Sequence, residues 1–274
     1  LNSQSEPVPE LAESVDVNAD STEFIFHLRK GVKFHDGSEM TSKDVVASMN
    51  RWFDSFSTAA NVVNGARFEA VDDYTCKISL SSPCVTLLSV IAGSSQPAMI
   101  TTAAECENED ANGFLQNYIG TGPYKFVEWK LNQYIELQKF DDYVAYGNET
   151  EEMDGWAGYK HAYTNTLYYD YVPDEATRVA GLQTGQYYLI YGLSSDNYSM
   201  VDSSSDLTTF QEQGGTVAFV FNKKEGLAVN KDFRKAVNAA ANCEDILKAA
   251  FGTFYELGSC YMDSAQATCR LRKL

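Results

Sequence analysis

Apolar and polar positions alternate over residues 24–29, which predicts a strand with two differently filled faces. The turn sequence His-Asp-Gly at 35–37 follows, in which the glycine is free to adopt a positive φ. The apolar spacing then becomes that of a helix over 42–56, and Thr41 with Asp44 has the spacing of a capping box at its start. The pattern therefore predicts a strand, a tight turn and an amphipathic helix that packs on a core.

The rest of the chain alternates between the two periodicities. Further strands are predicted at 66–71, 75–80, 124–129, 134–140, 166–172, 187–191 and 216–222. Helices are predicted at 86–92, 174–184 and 232–241. The acidic segment 105–110 and the glycine-containing segment 145–163 are predicted to lie at the surface. Strands mixed with helices in this order indicate an α/β fold, with mixed sheets flanked by helices.

Composition narrows the class of protein. The chain has 274 residues, 44% of them hydrophobic and 22% charged, which suits a soluble globular protein of one large or two ordinary domains. No apolar run approaches the roughly 18 residues of a membrane span, and any signal peptide is expected to be removed or to lie outside this sequence. The net charge of −17, spread along the chain, argues against nucleic acid as a partner.

The sequence carries little that predicts catalysis. It has no Gly-x-Ser-x-Gly elbow, no His-Glu-x-x-His and no Walker loop, so we predict no enzyme activity, no cofactor and no metal site. The histidines His27 and His161 are expected to be structural or exposed, and His35 to hydrogen-bond the local backbone. None of the six cysteines forms a CxxC pair. Local disulfides Cys76–Cys84 and Cys260–Cys269, or free buried thiols, both remain open.

Three phrases resemble those of a known family. The first is LRKGVKFHDG at 28–37 with TSKDV at 41–45, and the second is GTGPYKFVEW at 120–129. The third is the helix with Arg178 that ends near Gly185. Together they resemble the extracellular solute-binding proteins of family 5, which are the oligopeptide-, dipeptide- and nickel-binding receptors of ABC importers. Asn222, Arg234 and Ala236 match a further, weaker phrase of the family.

The resemblance implies a periplasmic-binding-protein-like type II (class C) fold, of which this chain is a fragment. Residues 1–117 would form the small inserted domain, 118–215 part of the first lobe, and 216–274 the incomplete start of the second lobe. The extreme N-terminal part and most of the second lobe of a typical member would be missing. In peptide-binding members an aspartate of the second lobe pairs with the amino terminus of the ligand. Its position would fall beyond Leu274, so weak ligand affinity is expected of this chain.

The function implied is that of the substrate-binding component of an ABC importer. It would capture oligopeptides or dipeptides outside the membrane, as a monomer in the periplasm or lipid-anchored at the cell surface, and deliver them to the permease. One alternative is a receptor for nickel or another metal chelate. The other is an extracellular carbohydrate hydrolase, which would place two carboxylates about 5–9 Å apart in a cleft.

Candidate ligand contacts lie on loops at strand ends, where a two-lobed receptor closes on its ligand. Two loops fit, and their candidate residues are Ser94, Ser95 and Gln96 in one and Leu193 and Ser194 in the other. By resemblance, both regions face the cleft between the lobes. The alternative interpretation, that both are ordinary surface loops, is equally open.

Overall fold

The computed structural model describes residues 1–150, 153–210, 219–255 and 257. The strands in these residues are β1 Ala12–Val17, β2 Glu23–Leu28, β3 Phe68–Asp72, β4 Thr75–Ser79, β5 Tyr124–Lys130, β6 Tyr134–Lys139 and β7 Thr166–Asp170. The helices are α1 Ser42–Ser55, α2 Ser57–Val63, α3 Leu87–Ile91, α4 Ala103–Glu107, α5 Glu175–Gln183, α6 Ser195–Asp202, α7 Lys231–Ala240 and α8 Cys243–Phe251. A 3-10 turn covers Leu227–Val229. The chain divides into two compact units, Leu1–Tyr171 and Val172–Leu274.

The first unit contains an antiparallel sheet in the order β1-β2-β4-β3. Helix α1 packs on one face of it, as its apolar spacing predicts. The predicted capping box is present, because the Thr41 side chain and the Asp44 carboxylate each bond the other's backbone N–H. The core between helix and sheet includes Trp52 and Phe53 from α1, with Phe53 stacked on Phe68 of β3 at 5.8 Å between ring centroids.

The second sheet of the same unit has the order β5-β6-β7 and is also antiparallel. The predicted hairpin after the GTGPY phrase is confirmed as β5 and β6, which pair from Tyr124 with Lys139 to Lys130 with Tyr134. Tyr134 and Tyr168 meet edge to face across β6 and β7, with ring centroids 5.5 Å apart. The alternating aromatic pattern over 166–172 therefore forms a strand, as predicted.

One predicted strand is corrected, and another lies partly outside the described residues. Residues 187–191 form no strand, and Tyr188 is fully exposed. A strand exists only where a second backbone pairs with it, and in the described parts of the chain none lies beside this segment. Residues 216–218 of the other predicted strand lie outside the described residues, while 219–222 are irregular.

One acidic residue that was predicted to be solvated is buried. Glu105 is 8% exposed, and its carboxylate accepts hydrogen bonds from both the backbone N–H and the side-chain amide of Asn117, at 3.0 and 2.7 Å. The two bonds satisfy the charged oxygens that burial removes from water. Charge alone therefore mispredicts this position, whereas Glu107 and Asp110 of the same segment are exposed.

Of the two states that the sequence left open for Cys76 and Cys84, the structure shows free thiols and no disulfide. Cys76 lies fully buried on β4, where its side chain belongs to the core. The second predicted pair, Cys260–Cys269, lies outside the described residues. Of the two interpretations of Cys76, that of a buried apolar side chain therefore applies.

Burial raises the pKa of Cys76 to about 12, which predicts an inert thiol. We expect iodoacetamide to alkylate the exposed Cys243 in the folded protein and to leave Cys76 unmodified until the chain is unfolded. Peptide mapping by mass spectrometry after timed alkylation measures both sites in one sample. Modification of Cys76 at the rate of Cys243 would contradict the buried position.

Candidate ligand-binding loops

The first candidate loop follows α3 and is tied to helix α1. The indole N–H of Trp52 donates to the carbonyl oxygen of Gln96 at 3.0 Å, so the loop backbone is held against the core. Gly93 allows the chain to turn closely past the end of α3, because a Cβ there would lie 3.2 Å from the carbonyl oxygen of Val90. Ser94 and Ser95 are exposed and Gln96 is half-buried. The loop thus presents two hydroxyl groups, each a donor and an acceptor, on a fixed backbone.

The second candidate loop leads into α6 in the unit Val172–Leu274. Gly192 has a φ of +76°, a conformation that suits glycine. Ser194 is the N-cap of α6, with an exposed side chain, and Leu193 is half-buried. The predicted residues of this loop are therefore adjacent to a helix start. The first loop therefore belongs to the unit Leu1–Tyr171 and the second to the unit Val172–Leu274.

Two residues that the sequence did not single out as site residues hold the second loop. The carboxylate of Glu175 accepts the backbone N–H of Ser194 at 2.7 Å, and the Arg178 guanidinium donates to the carbonyl of Gly192 at 3.1 Å. The hydrogen bond from the Ser194 N–H is the largest cause that lowers the pKa of Glu175, followed by the Asn197 side chain. Glu175 is therefore held as a carboxylate.

A spacing signal for one of these residues is present in the sequence. Arg178 follows the N-cap Asp174 by four positions, and its Nη1 donates to the carbonyls of Val172 and Pro173 at 2.8 and 3.0 Å. Arg234 follows the N-cap Asn230 by four positions, and its Nη1 likewise donates to two consecutive carbonyls, those of Ala228 and Val229, at 2.7 and 2.9 Å. An Asp or Asn four residues before an arginine thus marks both helix starts.

An open hollow of about 460 Å³ lies beside the start of α6. It is lined by Ser195, Asp196, Tyr198, Ser199, Gly252, Thr253 and Phe254. Gly252, at the end of α8, approaches closely, since a Cβ there would lie 3.3 Å from the Cβ of Ser195. Four hydroxyls and one carboxylate give the hollow a polar lining, but Leu193 and Ser194 are not part of it.

His35 joins the two most distinctive sequence phrases. Its Nδ1 accepts the backbone N–H of Gly120 at 3.2 Å, and its Nε2 donates to the carbonyl of Gly122 at 3.0 Å. The His35 ring also meets Phe140 edge to face at 5.1 Å. The predicted bonding to backbone is confirmed, but the partners are 85 and 87 residues away rather than local. Both imidazole nitrogens therefore hydrogen-bond the backbone of the segment 120–129, which gives His35 a structural role.

Gly181 in α5 is required by the ring of Tyr187, since a Cβ would lie 2.3 and 2.4 Å from two ring carbons. Gly181→Ala is expected to destabilise the unit Val172–Leu274 by about 1–2 kcal/mol, because overpacking outweighs the better helix propensity of alanine. Urea unfolding measures the change. In a Tyr187→Ala background the same substitution is expected to stabilise. A gain in stability from Gly181→Ala alone would contradict the packing.

Within the described ranges, no group of three or more His, Cys, Asp or Glu side chains gathers where a metal ion could bind. None of the helices seen in those ranges is both long enough and apolar enough to cross a membrane.

The resemblance seen in the sequence is confirmed by comparison with known proteins. The family model described as "Bacterial extracellular solute-binding proteins, family 5 Middle" matches residues 6–264, and the chain belongs to that family. The glutathione-binding protein GsiB of Pectobacterium atrosepticum is 28% identical over an alignment of 257 residues that covers 89% of this chain and 45% of that protein. The heme-binding protein A of Haemophilus influenzae is 29% identical over 272 residues, covering 89% of this chain and 46% of the relative.

A solved structure shows the same fold. The ABC transporter-associated periplasmic binding protein DppA of Helicobacter pylori, in complex with a peptide, superposes with a TM-score of 0.70 at 24% identity, covering 92% of this chain and 51% of that one. The chain therefore has the α/β fold of the type II periplasmic binding proteins, as predicted. It spans about half the length of the curated relatives it matches.

Proposed function

We propose that the protein is the substrate-binding component of an ABC importer that captures oligopeptides or dipeptides outside the membrane and delivers them to the permease. Membership of family 5 carries this proposal, together with a relative whose name gives the tripeptide glutathione as its ligand. The proposal includes a monomeric receptor that carries out no chemical step. It also includes a location in the periplasm or at a lipid anchor on the cell surface.

The two candidate loops suit a peptide ligand. A peptide offers alternating N–H donors and C=O acceptors, and the hydroxyls of Ser94, Ser95 and Ser194 can satisfy either kind of group. Both loops are held by hydrogen bonds to other parts of their own units, so little conformational entropy remains to be lost on binding. We propose that Ser94, Ser95 and Gln96 of the first loop and Leu193 and Ser194 of the second are ligand contacts, each loop within its own unit. The division into an inserted domain at 1–117, a first lobe at 118–215 and a second lobe from 216 belongs to the same proposal.

A metal-chelate receptor is the second candidate, and one observation favours it. The heme-binding protein A of Haemophilus influenzae is as similar in sequence as the glutathione-binding relative. Heme and nickel chelates are bound through the metal or through the acidic groups of the chelate, so histidine or arginine side chains would line such a site. The loops that we propose carry serine, glutamine and leucine instead. The peptide class is therefore preferred.

A thermal-shift panel separates the two classes. Reduced glutathione, a dipeptide mixture, an oligopeptide mixture, heme and nickel–histidine are each added to the protein. A ligand present at 100 times its Kd stabilises the folded state by about 2.7 kcal/mol. We expect stabilisation by one or more peptide samples. The double variant Ser94→Ala/Ser95→Ala should reduce the shift, whereas Ser14→Ala, at an exposed position on β1, should not. Stabilisation by heme or nickel–histidine alone would overturn the peptide assignment.

A further inference from the structure

Two side chains at the start of helix α5 hydrogen-bond the backbone of the loop 192–194. Glu175 and Arg178 are three residues apart on one face of the helix. One of them accepts from the N–H of Ser194 at 2.7 Å, and the other donates to the C=O of Gly192 at 3.1 Å. An acceptor and a donor of opposite charge thus hold the two residues on either side of Leu193. Both bonds are charge-assisted, which makes them stronger than bonds between neutral groups.

The side chain of Arg178 is itself held by further hydrogen bonds. Arg178 uses its other terminal nitrogen on the carbonyls of Val172 and Pro173, so the guanidinium bridges the approach to α5 and the loop. Its Nε is buried without a hydrogen-bond partner among the described residues. Burying an unpaired N–H is unfavourable, and the other hydrogen bonds of the guanidinium offset this cost. The loop conformation is therefore determined by a rigid group.

The start of α7 resembles that of α5, and comparing them separates two roles of these side chains: stabilising a helix start and holding the loop. Arg234 bonds the two carbonyls before its own helix in the same manner as Arg178. At the position that corresponds to Glu175, however, the chain has Lys231, which cannot accept a backbone N–H. The contacts of the arginine at a helix start therefore do not depend on a glutamate at this position. The glutamate adds a contact that serves the loop.

We infer that Glu175 and Arg178 are positioning residues of the ligand site, which hold Gly192–Ser194 in its binding conformation without touching the ligand. This inference rests on the proposed contact between the loop and a peptide. A loop that is already ordered loses less entropy when the ligand binds. Losing one of the two bonds is expected to weaken peptide binding on the order of 5–10-fold.

Two readouts on the same variants test the inference. Hydrogen exchange at the Ser194 amide reports on its hydrogen bond to Glu175. Calorimetric titration with reduced glutathione, a dipeptide mixture and an oligopeptide mixture reports on affinity. Glu175→Ala should speed exchange at Ser194 and weaken binding. Glu175→Gln keeps an acceptor oxygen and should restore most of both. Arg178→Lys should weaken binding, while the matched control Arg234→Lys should leave affinity unchanged.

The possible failures are distinguishable. Fast exchange in Glu175→Ala with wild-type affinity would overturn the inference and leave the peptide proposal standing. An equal loss of affinity in Arg234→Lys would also overturn it, because general destabilisation would then explain the effect. If the wild-type protein binds neither glutathione nor any dipeptide or oligopeptide, the peptide proposal and the inference both fail.

Discussion

Replacing Phe53 by alanine is expected to lower the free energy of unfolding of the unit Leu1–Tyr171 by about 3–5 kcal/mol. Phe53 is 2% exposed and lies between the rings of Trp52 and Phe68, with centroids 5.5 and 5.8 Å away. Removing the ring loses the transfer free energy of a large apolar group and leaves a cavity between α1 and the sheet. Urea unfolding followed by tryptophan fluorescence measures the loss.

Phe114 provides the matched control, since it lies in the same unit and is 67% exposed. Phe114→Ala removes the same ring from solvent-facing surface and is expected to change stability by no more than about 0.5 kcal/mol. Equal effects of the two substitutions would contradict the placement of the core around α1.

Replacing His35 by alanine is expected to cost about 2–4 kcal/mol. The substitution removes the acceptor of the Gly120 N–H and the donor to the Gly122 carbonyl, and leaves both backbone groups half-buried without those partners. An unsatisfied buried polar group costs about 1–3 kcal/mol, and two are created here. The edge contact with Phe140 is lost as well. Chemical unfolding and hydrogen exchange at the Gly120 amide measure the effect.

His161 is the control for this substitution. It is exposed, and its ring contacts Tyr159 and Tyr163, so His161→Ala is expected to stay within about 0.5 kcal/mol of the wild type. If His35→Ala destabilises the protein no more than His161→Ala does, the hydrogen bonds of His35 do not stabilise the contact between segments 28–37 and 120–129. That result would contradict the structural role given to His35.

Elements with strong local signals could be predicted from the sequence. Strand β2, the capped helix α1 and the hairpin β5–β6 each combine one clear periodicity with their own cap or turn residues. The strand predicted at 187–191 failed because alternation shows only that a segment suits a sheet, while pairing depends on a distant backbone. The sequence left the state of Cys76 open between a disulfide and a free thiol, because spacing along the chain says nothing about burial.

The candidate site was predicted only as loops. Exposure of Ser94, Ser95 and Ser194 agrees with a surface position, but their contact with a ligand stays a prediction. Glu175 and Arg178 could not be assigned to the loop from sequence, since their contacts with it span 19 and 14 residues. Long-range hydrogen bonds of this kind leave no periodic trace in the chain. The sequence shows the spacing between Arg178 and the N-cap Asp174, but not the hydrogen bond from Arg178 to Gly192.

Native mass spectrometry of the protein mixed with reduced glutathione, dipeptides, oligopeptides, heme, nickel–histidine and a glycoside tests the central claim most directly. A peptide-capturing receptor is expected to form complexes of one protein chain with one peptide. Collisional release should return the peptide with unchanged mass, because the proposed function includes no chemical step. Complexes with heme or nickel–histidine in place of peptides, or hydrolysis of the glycoside, would contradict the account.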